Sequence, residues 1–364
     1  MWLVERVIVG VVGAGTMGAG IAQLALENGH EVVLHDVDEA AIERGRARIA
    51  EGLARRAARL DLDADSTEEW VAGRLAALRD AYSLDAVGAE AEVVIEAALE
   101  DLELKQTVFA TLDATTTPEV ILATNTSALS VAAIAARAGH PERVIGLHFF
   151  NPAPVMPLVE VVVPPGVGSA VVERANTLIA GWGKTAVHCA DTPGFIVNRV
   201  NRPFTIEALR ILESGLATVD QIDAAIRAAG FPMGPFELMD FVGLDVNLAA
   251  ATAIWDGLGR PDRLRPSTIQ RELVAAGELG RKTGLGFYRH EEANPVPRSD
   301  LGGIPAAPRS GSIGPAAIVE RIVGAVDAEA ELAVAGGVAT AVDIDLALRL
   351  GAGHPERSRG PLAG

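Results

Sequence analysis

Two hydrophobic periods alternate along the first half of the chain. The run "RVIVGVV" (6–12) is short and nearly all apolar, the pattern of a buried strand. "TMGAGIAQLALENG" (16–29) follows as a helix, with Gly29 as its C-terminal stop. "EVVLHD" (31–36) predicts a second strand, and "DEAAIERGRARIAEGLARRAARL" (38–60) a long helix with a polar face. Another helix is predicted over "STEEWVAGRLAALRD" (66–80), opened by a Ser-x-x-Glu capping box. "AEVVIEAA" (91–98) and "EVILATN" (119–125) read as strands around a helix at "DLELKQTVFATLDA" (101–114). "RVIGLHFF" (143–150) and "PLVEVVV" (157–163) read as two further strands. Strands separated by helices predict an α/β unit on a mainly parallel, doubly wound sheet.

Near residue 190 the pattern becomes helical and stays so to about residue 280. Residues 291–316 are rich in Pro, Gly and Ser, and a linker is placed at 291–312. An internal repeat follows. "GLATVDQID" (215–223) and "GVATAVDID" (337–345) share a frame at an offset of 122. The same offset sets "IVNR" (196–199) on "IVER" (318–321) and "IEA" (206–208) on "AEA" (328–330). Residues 313–364 therefore read as a second, incomplete copy of the helical unit, with Glu320 where the first copy has Asn198.

Composition narrows the classes of function. A chain of 364 residues implies two or three units, and 49% hydrophobic with 22% charged residues is a globular balance. The net charge of −17 argues against nucleic acid or an anionic membrane as partner, while a local basic patch or helix N-terminus can still take a phosphate. The single cysteine, Cys189, excludes an intrachain disulfide and a four-cysteine zinc site, and it fits a reducing cytoplasm. Seven histidines show no metal-ligand spacing, so no metal is expected. The N-terminal stretch is too short and too soon acidic for a signal peptide. No uncharged run of eighteen apolar residues predicts a membrane helix.

Chemistry enters at "VVGAGTMGAGIA", which carries Gly13-x-Gly15-x-x-Gly18 between a predicted strand and helix. Gly13 permits the tight turn, Gly15 lets backbone approach a pyrophosphate, and Gly18 lets helix and sheet pack closely. Asp36 ends the second strand, eighteen residues after Gly18. A carboxylate there accepts from ribose hydroxyls and repels a 2′-phosphate, which favours NAD over NADP. A second constellation is "GLHFFNPAPVMPLVEVV" (146–162). If its two strands form a hairpin about residue 154, His148 and Glu160 lie opposite each other on one face. Pro152, Pro154 and Pro157 support the turn. The pair suits a general base oriented by a carboxylate; the alternative is a satisfied core histidine and an unrelated strand glutamate.

Seven segments decide between these readings: "GAGTMGAGIA", "IEAALEDLELK", "TNTSALS", "GLHFFNPAPVMPLVEVV", "DTPGFIVNRV", "FPMGPFELMDFVGLD" and "GRKTGLGFY". In order and spanning roughly residues 6–290, they make the chain resemble the NAD-dependent 3-hydroxyacyl-CoA dehydrogenases, including the 3-hydroxybutyryl-CoA dehydrogenases. The resemblance implies a Rossmann-type NAD-binding domain at 1–190 and an all-α domain at 191–290, then the linker and the second copy. It implies that His148 is the base for the 3-hydroxyl proton, that Glu160 orients it, and that Ser127 bonds the substrate oxygen. Asn198 would help place the substrate carbonyl and the histidine. Glu100, Lys105, Asn151 and Lys282 would contact NAD, beside Thr16 and Met17 of the glycine-rich turn. Arg59, and with it Arg55 one turn earlier, would meet the CoA phosphates. Thr124 stands where the family has serine.

Each position has a plainer alternative. Ser127 could cap the helix after it, Asn198 and Arg199 could cap or pair at the helical domain, Lys105 could be a solvated charge, and Lys282 could shape a turn. Family members without a tandem copy dimerise through the helical domain. Residues 313–364 are therefore expected to form an internal pseudo-dimer with the first copy; a homodimer is the other arrangement. The expected reaction is oxidation of an (S)-3-hydroxyacyl-CoA, as in β-oxidation. The rival readings are a free hydroxy acid dehydrogenase of the gulonate or carnitine type and a non-catalytic, crystallin-like NAD-binding protein.

Overall fold

In the computed structural model, which describes residues 6–60, 62–290, 295–301 and 311–356, the apolar run at the start of the chain becomes a central strand. This strand, β1 (Ile8–Val12), feeds α1 (Thr16–Glu27), β2 (Glu31–His35) and α2 (Glu39–Ala57). Next come α3 (Ala64–Leu75), β3 (Leu78–Ala81), α4 (Leu84–Glu90), β4 (Val93–Glu96), α5 (Leu102–Thr115), β5 (Ile121–Thr124) and α6 (Val131–Ala135). The first unit closes with β6 (Val144–Phe149), β7 (Leu158–Val163), α7 (Ser169–Gly181) and β8 (Thr185–Ala190). The eight strands lie in the order β3-β2-β1-β4-β5-β6-β7-β8. All neighbours are parallel except β6 and β7. The order reverses direction between β1 and β4, the switch point at which doubly wound sheets bind ligands. Val9, Val11, Ile21, Leu34, Ile49 and Ile95 are fully buried between sheet and helices.

The α/β expectation is met, with local corrections. The helix predicted over 66–80 stops at Leu75, and Leu78–Ala81 instead pairs with Val32–His35. This edge strand buries only Leu78 and Ala81, so its sequence looks polar. The helix opens at Asp63, whose carboxylate accepts the Ser66 N–H at 2.8 Å, rather than at the Ser66 capping box. The helices α4 and α7 and the strand β8 had no prediction. The proline-rich hairpin has the register that symmetry about residue 154 requires: Gly146 faces Val162, Leu147 faces Val161, and His148 faces Glu160. Its connection is held by the Lys184 ammonium, which donates to the Pro154 and Met156 carbonyls at 2.9 and 2.8 Å.

Contacts divide the chain after Asp191, into Met1–Asp191 and Thr192–Gly364. The second unit comprises α8 (Val197–Val200), α9 (Arg202–Glu213), α10 (Val219–Ala228), α11 (Pro235–Val242), α12 (Leu244–Gly257) and α13 (Thr268–Ala275). It continues through β9 (Tyr288–Arg289), β10 (Val296–Pro297), α14 (Pro315–Ala335) and α15 (Ala341–Ala352). Buried Asp223 ties this unit together by accepting the Phe236 and Glu237 amides, both at 3.0 Å, and the Tyr288 hydroxyl at 2.7 Å. Among the described residues, no single helix is long and apolar enough to cross a membrane.

Part of the predicted linker is ordered against the first helical copy. Val296–Pro297 pairs with Tyr288–Arg289, Arg298 donates to the Gly286 carbonyl at 2.9 Å, and Leu301 is buried. Residues 291–294 and 302–310 of that linker lie outside the described residues. The second copy does not stand apart: α14 packs on α9 and α10, and α15 on α8. Its ion pairs are reciprocal. Arg199 of the first copy bonds Glu329 at 2.9 Å, and Arg321 bonds Glu207. At the offset of 122, Arg199 matches Arg321 and Glu207 matches Glu329. Residue i meeting j while j′ meets i′ is the pattern of a two-fold interface.

Candidate active site

The turn between β1 and α1 is built from glycines that the protein itself requires, and one that it does not. Gly13 has φ +101, and a Cβ there would lie 2.6 Å from the Ala97 carbonyl oxygen. A Cβ on Gly18 would lie 1.7 Å from the Gly13 carbonyl oxygen, so the helix could not close on the turn. Gly15 caps α1, yet a Cβ there would meet nothing within 4 Å. Its glycine is not demanded by packing, and it fits the close approach of a pyrophosphate to the helix N-terminus. Thr16 and Met17 form the first turn of that helix, which carries no acidic residue there. Asp36 accepts the Ala14 amide at 2.7 Å through one oxygen and the Val37 amide at 2.7 Å through the other. The carboxylate is thereby fixed beside the turn, with lone pairs left for ribose hydroxyls. These residues fit NAD.

At the sheet's other half, the hairpin brings His148 Nδ1 to 2.6 Å from Glu160 Oε2. The imidazole is 7% exposed and the carboxylate 0%. With Nδ1–H donating to the carboxylate, Nε2 is the basic nitrogen of the ring. The Phe150 ring packs tilted against it at 4.6 Å between ring centroids, and the Asn125 side-chain oxygen accepts the Phe149 amide at 2.8 Å. Both contacts steady the end of β6.

The loop after β5 is organised by Glu100. One of its oxygens accepts the Thr126 hydroxyl at 2.6 Å, the Ser127 amide at 3.0 Å and the Ala128 amide at 3.1 Å. Burial alone would raise the Glu100 carboxyl, but these donors and the Lys105 ammonium hold it below its ordinary range. Lys105 is neither a solvated helix charge nor a surface contact. It is 1% exposed, with Nζ 2.6 Å from buried Glu96 and 3.4 Å from Glu100. Among the described residues its ammonium positions Glu100. Glu96 in turn accepts the Ala98 amide at 2.6 Å and the Thr124 hydroxyl at 2.7 Å. A hydroxyl is what that position needs, so threonine replaces serine without loss. Ser127 does not cap α6; Ser130 does, and the Asp191 carboxylate accepts the Ser130 hydroxyl and the Val131 and Ala132 amides.

Beside α1, a cleft of about 1160 Å³ runs along α2 and α3 to the proline connection that starts at exposed Asn151. Among the described residues, Arg48, Arg55, Arg56, Arg59, Arg74 and Lys184 line it against two carboxylates, Glu27 and Glu51. Arg55 pairs with Glu51, while Arg59 has no ion pair among the described residues. Arg48 and Arg74 were not singled out in sequence, although Arg48, Arg55 and Arg59 recur at helical spacing on one face. In the second unit, Asn198 lies on α8. Lys282 is held by both oxygens of Asp245, at 2.6 and 2.7 Å, and this bond draws the Asp245 carboxyl below its ordinary range.

A cofactor turn with an acidic ribose acceptor, and a buried histidine–carboxylate pair on the same sheet, define a nicotinamide-dependent dehydrogenase. Comparisons with known proteins give the family. Residues 8–192 match the model described as 3-hydroxyacyl-CoA dehydrogenase, NAD binding domain, and residues 194–290 match the C-terminal domain of the same family. The 3-hydroxyadipyl-CoA dehydrogenase of Escherichia coli is 48% identical over 281 residues, 77% of this chain and 58% of that protein. The 3-hydroxybutyryl-CoA dehydrogenase of Bradyrhizobium diazoefficiens is 41% identical over 290 residues, 79% of this chain and 97% of that protein. The crystal structure of 3-hydroxybutyryl-CoA dehydrogenase from Escherichia coli K12 superimposes with a TM-score of 0.85 at 35% identity, covering 96% of this chain and 89% of that one. The chain belongs to the 3-hydroxyacyl-CoA dehydrogenase family, NAD-dependent oxidoreductases.

Proposed function

We propose that the protein oxidises (S)-3-hydroxyacyl-CoA to 3-oxoacyl-CoA, reversibly, with His148 as the base. The observation that carries the reading is the 2.6 Å bond between His148 and fully buried Glu160. When bound, NAD supplies the hydride acceptor. His148 Nε2 takes the proton of the 3-hydroxyl, and the Glu160 carboxylate stabilises the imidazolium that results. The Ser127 hydroxyl, on the loop that Glu100 and Lys105 hold, bonds the substrate oxygen, and Asn198 places the thioester carbonyl. In reduction, the imidazolium returns the proton. Asn151 and Lys282 are assigned to cofactor contacts.

The cationic cleft on α2 and α3 supports a CoA ester over a free hydroxy acid. Arg59 and Arg55 lie on its wall, and a guanidinium matches phosphate geometry. The reciprocal Arg199–Glu329 and Arg321–Glu207 pairs support an internal pseudo-dimer of the two helical copies. The single cysteine supports a cytoplasmic setting. The test is NADH oxidation with acetoacetyl-CoA, longer 3-oxoacyl-CoAs and the corresponding free 3-oxo acids. Turnover of the CoA esters is expected, and turnover confined to the free acids would overturn the reading.

A further inference from the structure

The strand that carries His148 outruns its neighbour. β5 pairs with β6 as far as Thr124 and Gly146, and Leu147, His148 and Phe149 continue past the end of that ladder. On the other side β7 pairs with β6 through Phe149. The end of β6, the histidine included, therefore has a neighbouring strand on one side only.

A side chain takes over where β5 stops. Asn125, the next residue, donates its own amide to the Glu96 carbonyl at 2.7 Å, which keeps its backbone on β4. Its side chain reaches the opposite way, and Oδ1 accepts the Phe149 amide at 2.8 Å. A backbone N–H only donates, so the carboxamide oxygen is the atom that faces β6. Phe149 is 2% exposed, and an amide in such a place is costly to leave unpaired. Asn125 is thus tied by its backbone to β4 and by its side chain to β6.

Two residues further on stands Ser127. The Thr126 hydroxyl and the Ser127 and Ala128 amides all donate to Glu100, which fixes this loop to the connection between β4 and α5. The Asn125 bond adds the tie from the same loop to β6. It lies one residue from His148 on one strand and two residues from Ser127 on the other.

We propose that Asn125 is a positioning residue: its side-chain oxygen sets the separation between the Ser127 hydroxyl and the His148 imidazole. The inference rests on the roles proposed for those two residues. A hydroxyl and a basic nitrogen that serve one substrate oxygen must both lie within hydrogen-bond reach of it. A shift of either by about 1 Å costs on the order of 10²-fold in rate.

The experiment follows NADH oxidation with saturating acetoacetyl-CoA. Asn125→Ala removes the acceptor, and kcat should fall roughly 10–100-fold while the affinity for NADH, read by fluorescence quenching, changes little. Asn125→Asp keeps the oxygen, discards the amide nitrogen, and should recover most of the loss. In a Ser127→Ala background, Asn125→Ala should cost less than about three-fold, because the separation it sets no longer matters. General loss of stability would produce neither the recovery nor the coupling. If Asn125→Ala does not fold, Asn125→Leu serves in its place, with similar size and no acceptor. A single variant within about three-fold of wild type overturns the proposal. So does a loss that Asn125→Asp leaves in place, or one that is undiminished without the Ser127 hydroxyl. Full activity of Ser127→Ala or His148→Gln would instead overturn the roles on which the proposal rests.

Discussion

Glu160→Gln keeps the size and hydrogen-bonding shape of the side chain and removes its charge. Both partners are almost wholly buried, and they meet at 2.6 Å, so solvent does little to screen them. With charge centres about 4 Å apart and an effective dielectric near 20, the imidazolium formed on proton removal gains about 4 kcal/mol from the carboxylate. Glutamine still accepts the Nδ1–H, so part of that gain survives as an ordinary hydrogen bond. The expected loss in kcat is therefore roughly 10²–10³-fold, with the KM for acetoacetyl-CoA and the affinity for NADH little changed. Steady-state NADH oxidation gives the first two quantities, and quenching of NADH fluorescence gives the third. His148→Gln should cost about 10²–10⁴-fold by itself. In that background Glu160→Gln should cost little more, because the pair acts as one unit. A single Glu160→Gln variant within about three-fold of wild type, a small fraction of the predicted loss, would sink the charge argument. Full additivity of the two losses would mean that Glu160 acts on something other than His148.

Three further outcomes are expected. Gly15→Ala should fold normally and lose NAD affinity roughly 10–100-fold, since its added methyl meets only the approaching ligand. Gly18→Ala should instead lose about 1–3 kcal/mol or more of stability, because the methyl meets the Gly13 carbonyl; urea unfolding and calorimetric titration separate the two effects. Glu329→Gln should cost about 3–5 kcal/mol by leaving buried Arg199 unpaired, whereas Glu207→Gln, facing the half-exposed Arg210 and Arg321, should cost about 1 kcal/mol. Equal losses in denaturant midpoints would contradict that asymmetry. Glu100 carries the pH prediction. Its folded pKa lies below the ordinary 4.5, so its contribution to stability is full above that pH. Below it the unfolded state takes up the proton first, and the contribution fades as pH falls. Glu100→Gln should therefore show a shallower loss of melting temperature through this acid range, and an unchanged slope would contradict the assigned hydrogen bonds.

The candidate site was legible where local geometry constrains it. Period two in "GLHFF" and "PLVEVV", joined through three prolines, was enough to put His148 opposite Glu160, because a one-residue slip would turn both apolar faces the wrong way. The glycine-rich turn was equally plain, since a strand, a helix start and an acidic strand end coincide within thirty residues. Lys105 was not legible. On a helix that reads as amphipathic, a lysine looks solvated, and only the packing of α5 on the sheet encloses it with Glu96. The Leu78–Ala81 strand was missed because an edge strand buries alternate residues only, and over four residues that leaves no periodic signal.

By itself, then, the sequence determined the alternation of strands and helices, the cofactor turn, the hairpin pairing and the repeat of the helical unit. Each of these follows from backbone geometry over a few neighbouring residues, or from self-similarity that can be counted. Tertiary structure alone decided where each charge finds its partner. Arg199 and Glu329 are 130 residues apart in the chain, and the order of residues does not say that they meet. Whether a buried charge is satisfied depends on which distant surfaces the fold brings together, a property of the packed chain and not of any segment within it.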